Sequence, residues 1–348
     1  MGKNKAKAKK KNQRKSSATT MPFVSVCTPT FNRRPFISAA IKCFESQDYP
    51  KNRMEWIIYD DGTDPIEDLV KDVPCVRYFK TKTKLSLGSK RNYLHHKAKG
   101  EIVIYMDDDD YYPPTRVSHA VEVLTSNPEA LAAGCSELHM YFSDLKKIYQ
   151  FGPYHATHAT AASFALKREL FESRKYDTGA FVAEEKQFLA NYSVPFVQLD
   201  SKKTILAMSH GQNSFDKMQF VKDTSKTIIK DSPYNLDAFI ADKETQHDYT
   251  ELIPNNIKSY ELGTIKHKPD VTKYIDTLNK TRQKQHRQAN ASNTPTIEML
   301  QPDGTKVSLN HEEIVHILQM QQRKIQELTS LLNKKEEGNK DSEISAEA

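Results

Sequence analysis

The sequence contains no run of about 18 consecutive apolar residues, which is the length a helix needs to cross a bilayer. Its amino terminus also lacks the apolar stretch of a secretory signal peptide. The cysteines are few and form no CxxC pair, so neither a zinc site nor a disulfide scaffold is indicated. We therefore expect a soluble cytoplasmic protein with reduced thiols, located in the host cytoplasm or the virion if it is viral.

Outside the amino terminus the chain has no excess of positive charge. Eight Lys or Arg and no acid occupy residues 1–15, so the remainder carries a net charge of −2 although the whole chain carries +6. A run of like charges without an apolar period predicts a disordered tail over residues 1–20. Because the basicity belongs to this tail, we do not expect nucleic acid as a partner, and tail binding to it is an alternative.

Short apolar segments alternate with helical patterns in the first third of the chain. Strands are predicted at residues 23–27, 56–59, 76–79 and 102–106, and helices at 35–45, 66–70 and 89–97. This alternation predicts an α/β fold with a mostly parallel sheet, which binds ligands at the carboxyl ends of its strands. Polar clusters follow three of the strands, at Thr28 to Asn32, Asp60 to Gly62, and Asp107 to Asp110. Each alone is compatible with a turn, but together they predict one site at one edge of the sheet.

The four consecutive aspartates after the strand at residues 102–106 require a compensating cation, because adjacent carboxylates repel one another. Hard oxygen ligands favour Mg²⁺ or Mn²⁺, which bind through one or two carboxylates plus substrate phosphates. On an extended segment residues two apart face the same side, so Asp107 and Asp109 are predicted to act together while Asp108 and Asp110 point elsewhere. A solvated acidic turn is the structural alternative.

Four segments, VSVCTPTFNR, IIYDDGTD, LGSKRN and YMDDDDYYPP, give the sequence its resemblance to a known family. Their order and motifs, over roughly residues 22–215, resemble family 2 glycosyltransferases of the GT-A fold. The resemblance implies a mixed, mostly parallel Rossmann-like sheet flanked by helices. It also implies a metal-dependent inverting enzyme that moves a sugar from a nucleotide-diphospho-sugar, most favourably a UDP-sugar, to a hydroxyl of a glycan, protein or small molecule. The sequence departs from the family at Lys90, where Ala is favoured.

The resemblance also implies roles for individual residues. The nucleotide pocket would be lined by Thr28, Pro29 and Phe31, with Asp60 or Asp61 hydrogen-bonding the base. Arg91 would lie near the diphosphate or the sugar, with Asp107 and Asp108 in the nucleotide-sugar site. Asp109 would ligate the metal. The segment HGQNS matches a closing signature of the family, in which His210 would be a second metal ligand or a diphosphate contact.

Two adjacent acids, Glu184 and Glu185, resemble the Glu-Asp motif whose second acid is the catalytic base. An inverting transfer needs a carboxylate to take the acceptor proton, so we predict Glu185 as the base and Glu184 as the alternative. Helix N-terminal acids that complement the macrodipole are the structural reading of this pair. His155 and His158 precede a strand that resembles the acceptor side of the family, and they are further candidates for sugar contacts.

Beyond residue 220 the resemblance ends. We predict a glycosyltransferase domain over residues 21–220, a helical extension over 221–278, a polar linker over 279–295 and a disordered tail over 336–348. Residues 296–335 are predicted as a β-hairpin and an amphipathic helix. In that helix a heptad pattern predicts either self-association or packing onto the chain's own domain. Its apolar positions, with one Gln, are Ile314, Leu318, Gln321, Ile325, Leu328 and Leu332.

Two other functions fit the same elements. A nucleotidyltransferase also combines an α/β sheet with aspartates on a divalent cation, but it ordinarily has an early Gly-rich loop, and Thr28 to Arg34 contains no Gly. A non-catalytic module that binds a sugar nucleotide or a glycan on the same fold is the second alternative.

Overall fold

A computed structural model describes residues 21–222, 228–292, 297–300, 304–309 and 311–344. The predicted tail at residues 1–20 lies outside them. The strands are β1 (Val24–Thr30), β2 (Met54–Asp60), β3 (Val76–Lys80), β4 (Ile102–Tyr105), β5 (Ala132–Gly134), β6 (Leu138–Phe142), β7 (Lys147–Phe151), β8 (Ala165–Lys167), β9 (Phe196–Gln198), β10 (Leu206–Ser209), β11 (Ile229–Asp231), β12 (Ile297–Leu300) and β13 (Lys306–Leu309).

Helices separate most of these strands. They are α1 (Ile37–Glu45), α2 (Glu67–Val70), α3 (Leu87–Lys97), α4 (Arg116–Ser126), α5 (Arg168–Ser173), α6 (Glu185–Phe188), α7 (Ser201–Thr204), α8 (Met218–Lys222), α9 (Lys243–His247), α10 (Ile253–Ser259), α11 (Pro269–Ser292) and α12 (His311–Ile344). None of the helices in the described ranges combines the length and apolarity that crossing a membrane requires.

The main sheet has the strand order β3-β2-β1-β4-β8-β5-β9. Strands β3, β2, β1 and β4 are mutually parallel, and β8 is antiparallel to both β4 and β5. A smaller sheet has the order β10-β6-β7-β11, and β12 and β13 form the antiparallel hairpin that was predicted. The predicted fold class, a mixed and mostly parallel sheet with a carboxyl-terminal hairpin and helix, is confirmed.

The main sheet is buried on both faces. Val26 and Trp56 point to one face, where α1 and α4 pack, while their neighbours Cys27 and Ile57 point to the other, where α3 and α5 pack. Alternate residues of a strand face opposite sides, so a strand covered on both sides is apolar throughout. This explains the short apolar runs from which the strands were predicted.

The chain divides into two compact units, with the boundary between Ile275 and Asp276. The predicted extension is integral to the first unit, since Ile253 and Ile257 of α10 lie in its core cluster. The predicted linker at residues 279–295 is wrong through residue 292, because α11 continues to Ser292. The predicted tail at residues 336–348 is likewise wrong through residue 344, where α12 ends. In both segments polar composition was taken for irregular structure, although Lys, Glu and Gln are good helix formers.

Candidate active site

The polar clusters that follow β1, β2 and β4 meet at one edge of the main sheet, as predicted. The β1–β2 register pairs Thr30 with Asp60, and the β1–β4 register pairs Cys27 with Tyr105, just before the aspartates. A cavity of about 390 Å³ opens at this edge. Its lining includes Pro29, Phe31, Arg33, Lys84, Lys90, Arg91, Asp107, Asp108, Asp109, Asp110, Phe181, Glu184, Glu185, Asn213, Lys217 and Lys268.

Two of the predicted nucleotide-pocket residues, Thr28 and Asp60, form side-chain hydrogen bonds with other groups of the protein. Thr28 donates its hydroxyl hydrogen to the Met106 carbonyl and accepts the indole N–H of Trp56 at 2.8 Å. Both carboxylate oxygens of Asp60 accept hydrogen bonds from the loop after β2 or from Tyr78. These groups shape the edge of the sheet from behind, whereas Pro29 and Phe31 line the cavity itself.

Asp61 is buried in an ion pair with Lys90, the residue at which the sequence departs from the family pattern. The two side chains are 2.8 Å apart, and the lysine Nζ also donates to the Thr30 carbonyl at 3.1 Å. The second Asp61 oxygen accepts the Leu85 N–H at 2.6 Å. Lys90 therefore joins the ends of β1 and β2 to α3, and each Asp61 oxygen accepts a hydrogen bond from the protein itself.

The turn between β2 and α2 is held by Asn32, which adopts a left-handed backbone conformation with φ of 52°. Its Oδ1 accepts the backbone N–H groups of Thr63 and Asp64 at 2.7 and 3.1 Å. Asn tolerates positive φ better than most residues, and its short side chain bonds nearby backbone. A different segment, LGSKRN, requires glycine at position 88, because a Cβ there would lie 2.0 Å from the Asp177 carbonyl oxygen.

The aspartates form a turn after β4 rather than an extended segment. Asp108 was predicted to point away from Asp109, and this is wrong, because both carboxylates contact Arg33. Asp108 lies 3.6 Å from Nε of Arg33, and Asp109 lies 3.0 Å from Nη2 of the same guanidinium. Asp110 accepts the backbone N–H of Met208 at 2.8 Å and fixes β10 against the turn. Asp107 faces the guanidinium of Arg91 at 3.6 Å.

Burial governs the protonation of this cluster, and one member differs from the rest. Loss of hydration raises the pKa of Asp107, Asp108 and Asp110. Burial opposes ionisation of Asp109 as well, but the Arg33 guanidinium and a hydrogen bond from His210 outweigh it and hold the pKa of Asp109 below its usual range. Asp109 is thus the carboxylate of the turn that stays ionised most readily.

His210 contacts Asp109 through Nε2, at 3.2 Å from Oδ2. Its Nδ1 accepts the backbone N–H of Gln212 at 3.2 Å, which favours a ring proton on Nε2 facing Asp109, while the Asn213 amide nitrogen also lies 3.1 Å from Nε2. Burial lowers the pKa of His210 to about 4, so the ring is neutral near pH 7. In this arrangement His210 orients Asp109 as a hydrogen-bond donor, and metal ligation through Nε2 would require a different tautomer.

The two candidate bases have different surroundings. Glu184 is buried and accepts the Nε–H of Arg91 at 2.8 Å. Glu185, the first residue of α6, is only partly buried and also lines the cavity. Ala183, which precedes both acids, is a non-glycine residue at φ of 57°.

We tested whether these residues suit a divalent cation. Within the described ranges no group of three or more His, Cys, Asp or Glu side chains is arranged to hold a metal ion. However, Oδ1 of Asp107 and Oδ2 of Asp108 are buried without a hydrogen-bond partner, and Asp107 and Asp109 line the same cavity. Two hard carboxylates beside space for a diphosphate fit the usual surroundings of Mg²⁺ or Mn²⁺, in which phosphates and water complete the shell.

Of the Lys and Arg side chains that line the cavity, only Arg91 was predicted from the sequence to bind the donor. Lys268 is buried, donates to the Gln212 carbonyl at 3.3 Å, and has its pKa lowered to about 7 by burial and by Arg33. Lys217 donates to the Met208 carbonyl at 3.0 Å, and the ammonium of Lys84 lies 4.4 Å from the centre of the Phe31 ring. Arg33 is the last residue of the quoted segment VSVCTPTFNR and was a detectable candidate. No local pattern marks Lys268, because only tertiary packing brings it to the cavity.

His155 and His158 do not line this cavity. They lie in the loop that precedes Thr160 to Ala162, three residues that do line it. His155 instead lines a separate cavity, which is described below.

Several named proteins are similar in sequence to part of this chain. A β-1,3-glucosyltransferase of Campylobacter jejuni, named for the acceptor GalNAc(5)-diNAcBac-PP-undecaprenol, is 36% identical over 97 residues, which are 26% of this chain and 30% of that protein. The putative colanic acid biosynthesis glycosyl transferase WcaA of Escherichia coli is 33% identical over 102 residues, 28% of this chain and 36% of that protein. The chain thus spans about a third of the length of these relatives.

Solved structures with a similar course of the backbone include residues 1–349 of Staphylococcus aureus TarS, at 17% identity and a TM-score of 0.47 over 83% of this chain and 97% of that one. Another is the mannosyltransferase PcManGT of Pyrobaculum calidifontis in complex with GDP-Man and Mn²⁺, at 18% identity and a TM-score of 0.45 over 70% of this chain and 74% of that one. The family model described as "Glycosyl transferase family 2" matches residues 25–189. This segment, which carries the aspartate turn and both candidate bases, is similar to glycosyl transferase family 2.

Proposed function

We propose that this protein is a metal-dependent inverting glycosyltransferase that moves a sugar from a nucleotide-diphospho-sugar to an acceptor hydroxyl. The observation that carries the proposal is one cavity that contains both the aspartate turn and the partly buried carboxylate of Glu185. A transfer of this kind needs a carboxylate on one side of the anomeric carbon and positive charge around the leaving diphosphate on the other.

The proposed reaction uses Glu185 as the general base. Its carboxylate takes the proton of the acceptor hydroxyl while the hydroxyl oxygen forms a bond to the anomeric carbon. The bond from that carbon to the diphosphate oxygen breaks at the same time, and the nucleoside diphosphate leaves with the electron pair. Attack opposite the leaving group inverts the configuration of the sugar. The names of the Campylobacter jejuni relative and of TarS, a β-N-acetylglucosaminyltransferase, specify β products and are consistent with inversion of an α-linked donor.

Several residues are placed to bind the donor. Phe31 and Pro29 offer an apolar wall for the nucleoside. Arg91 is held by Glu184, and Nη1 of Arg91 is buried without a hydrogen-bond partner. Lys268 and Lys217 also add positive charge. Both lie outside the segment that the family model matches. Cations in a partly closed cavity stabilise a developing diphosphate charge more than they would in water.

Asp107 and Asp109 would hold the divalent cation, with Arg33 and His210 orienting Asp109. When bound, Mg²⁺ or Mn²⁺ would neutralise charge on the leaving diphosphate as a Lewis acid. We propose a UDP-sugar as the donor and leave the identity of the sugar to experiment, because epimers differ by one hydroxyl and are selected by details of pocket shape.

A screen of nucleotide-sugars for metal-dependent hydrolysis tests this proposal directly. We expect one donor to be cleaved slowly to free sugar and nucleoside diphosphate, with cleavage abolished by chelation and in Glu185→Gln. Absence of cleavage with every donor, together with retained nucleotide binding, would favour the non-catalytic module. Release of pyrophosphate from a nucleoside triphosphate and a sugar phosphate would favour the nucleotidyltransferase.

A further inference from the structure

A second cavity, of about 520 Å³, lies in the first compact unit outside the site described above. Its volume is in the range of roughly 300–1,000 Å³ that is usual for small-molecule sites. The lining residues are Ser136, Glu137, Pro153, Tyr154, His155, Ala156, Gln198, Leu199, Asp200 and Ser201. None of them belongs to the donor-binding or catalytic groups proposed above.

The second cavity has an aromatic wall that is exposed to solvent. The Tyr154 side chain is 45% exposed, and its ring lies 4.7 Å from that of His158. Tyr192 packs against His158 at 5.1 Å and against His155 at 5.9 Å. The backbone of this loop is fixed, because Oγ of Ser136 accepts the N–H groups of Tyr154 and His155 at 2.8 and 3.0 Å. The exposed ring is therefore presented by a rigid loop.

The opposite side of the cavity is polar and carries acceptors. Glu137 has a side chain that is 37% exposed, and its carboxylate is oriented by Gln150 at 2.9 Å and His139 at 3.2 Å. Asp200, at the start of α7, is exposed beside it. No Lys or Arg is among the lining residues, whereas six line the first cavity. This composition disfavours a phosphate or nucleotide and suits a neutral ligand rich in hydroxyl groups, with a C–H face for the aromatic ring.

The two cavities share a wall. Glu137 lines the second cavity, and Leu138 and Met140, which follow it on β6, line the first. The loop at residues 153–156 lines the second cavity and continues into Thr160, Ala161 and Ala162, which line the first. The segment around the start of β6 and the loop after β7 thus contribute residues to both cavities.

We propose that the second cavity binds a saccharide unit of the acceptor, with Tyr154 stacked on the sugar face and Glu137 and Asp200 accepting hydrogen bonds from its hydroxyl groups. This assignment rests on the proposed function for its role in transfer, because an acceptor glycan bound here directs its growing end toward Glu185. Binding itself needs neither donor nor metal. The acceptor is thereby specified as a glycan of at least two units and not a lone hydroxyl compound.

Binding of the full-length protein to a printed array of neutral and amino-sugar oligosaccharides, without nucleotide or metal, tests the proposal. We expect a defined subset of glycans to bind, and titration of the strongest to weaken about tenfold in Tyr154→Ala through loss of the stacking face. Tyr154→Phe keeps the ring and should bind like the wild type, while Glu137→Gln should weaken binding. Unfolding temperature and circular dichroism of each variant establish that it is folded.

Three results would overturn the assignment. The first is a folded protein that binds no glycan on the array. The second is glycan binding that Tyr154→Ala leaves unchanged but that Phe181→Ala, in the first cavity, removes. The third is Tyr154-dependent binding of spermidine or hexalysine in place of glycans, which would make the cavity an acidic site for cations. A failed nucleotide-sugar screen with Tyr154-dependent glycan binding would instead contradict only the proposed transfer.

Discussion

The Nε–H of Arg91 donates to Oε1 of Glu184 at 2.8 Å and joins two segments that lie 93 positions apart in the chain. Both side chains are buried, so this pair fixes the start of α6 against α3 and separates the roles of two adjacent acids. Glu184 holds Arg91 in the cavity, and Glu185 is the proposed base.

Replacing Glu185 by Gln should lower kcat for transfer by a factor of about 10² to 10⁴, the usual contribution of a positioned general base. Donor affinity and the unfolding temperature should be unchanged, because the amide has nearly the same shape. Glu184→Gln is the matched comparison, and it should lower the unfolding temperature because it removes the nearer of the two carboxylates that compensate the buried Arg91 charge. Equal kcat in Glu185→Gln and wild type would assign the base elsewhere.

Lys268 provides a second test, because its buried side chain, whose pKa is lowered to about 7 by burial and by Arg33, would supply a positive charge to the proposed diphosphate site when protonated. Lys268→Met should weaken binding of UDP and of inorganic pyrophosphate by about tenfold or more, as expected for loss of one charged hydrogen bond. Binding of uridine should be unaffected. Isothermal titration measures all three ligands.

Lys266, two residues away and exposed, offers the matched control for that measurement. Lys266→Met removes the same charge from the same segment and should bind pyrophosphate like the wild type. If the two variants bind alike, Lys268 does not contact the diphosphate.

Chelation tests the divalent cation. Treatment with EDTA should abolish hydrolysis of the donor, and Mn²⁺ or Mg²⁺ should restore it. Asp109→Ala should lose metal-dependent UDP binding, measured by titration with and without Mn²⁺, because it removes the ionised carboxylate of the turn. Asp144→Ala, an exposed acid outside the cavity, is the control. Metal-dependent UDP binding that persists in Asp109→Ala would contradict the proposed metal site.

The buried Lys90–Asp61 pair predicts a large effect on stability. Lys90→Met should lower the free energy of unfolding by about 3–5 kcal/mol, because it leaves the Asp61 charge buried without its partner. Lys82→Met, an exposed lysine nearby, should change it by less than about 0.5 kcal/mol. Urea denaturation monitored by Trp56 fluorescence provides the measurement. A small loss in Lys90→Met would show that the pair is not required to hold the edge of the sheet.

The seam of α12 remains a prediction of self-association. Leu318 and Ile325 lie on it with 58% and 63% of their surface exposed, so their apolar area is available to a second copy of the chain. Leu318→Asp combined with Ile325→Asp should reduce the mass measured by sedimentation at micromolar concentration to that of a monomer. Met320→Asp, exposed but off the seam, is the control. A monomeric wild type at that concentration would contradict self-association.

The sequence determined the order of strands and helices, the parallel sheet and the edge at which the site forms. These features follow from local apolar patterns and from the rule that parallel strands gather their carboxyl ends at one edge. The same local information did not predict that residues 279–292 are helical, because polar composition is shared by exposed helices and linkers.

Tertiary structure decided which polar side chains face the substrate. Thr28, Asp60 and Asp61 were predicted to contact the nucleotide, and their side-chain oxygens form hydrogen bonds with other groups of the protein, whereas Lys268 reaches the cavity from outside every motif. The second cavity was equally hidden, since its walls come from the residues before β6, the loop after β7, the end of β9 and the start of α7. A motif specifies which chemical groups are present, but their hydrogen-bond partners are set by residues distant in the chain, and those partners determine which groups remain for a ligand.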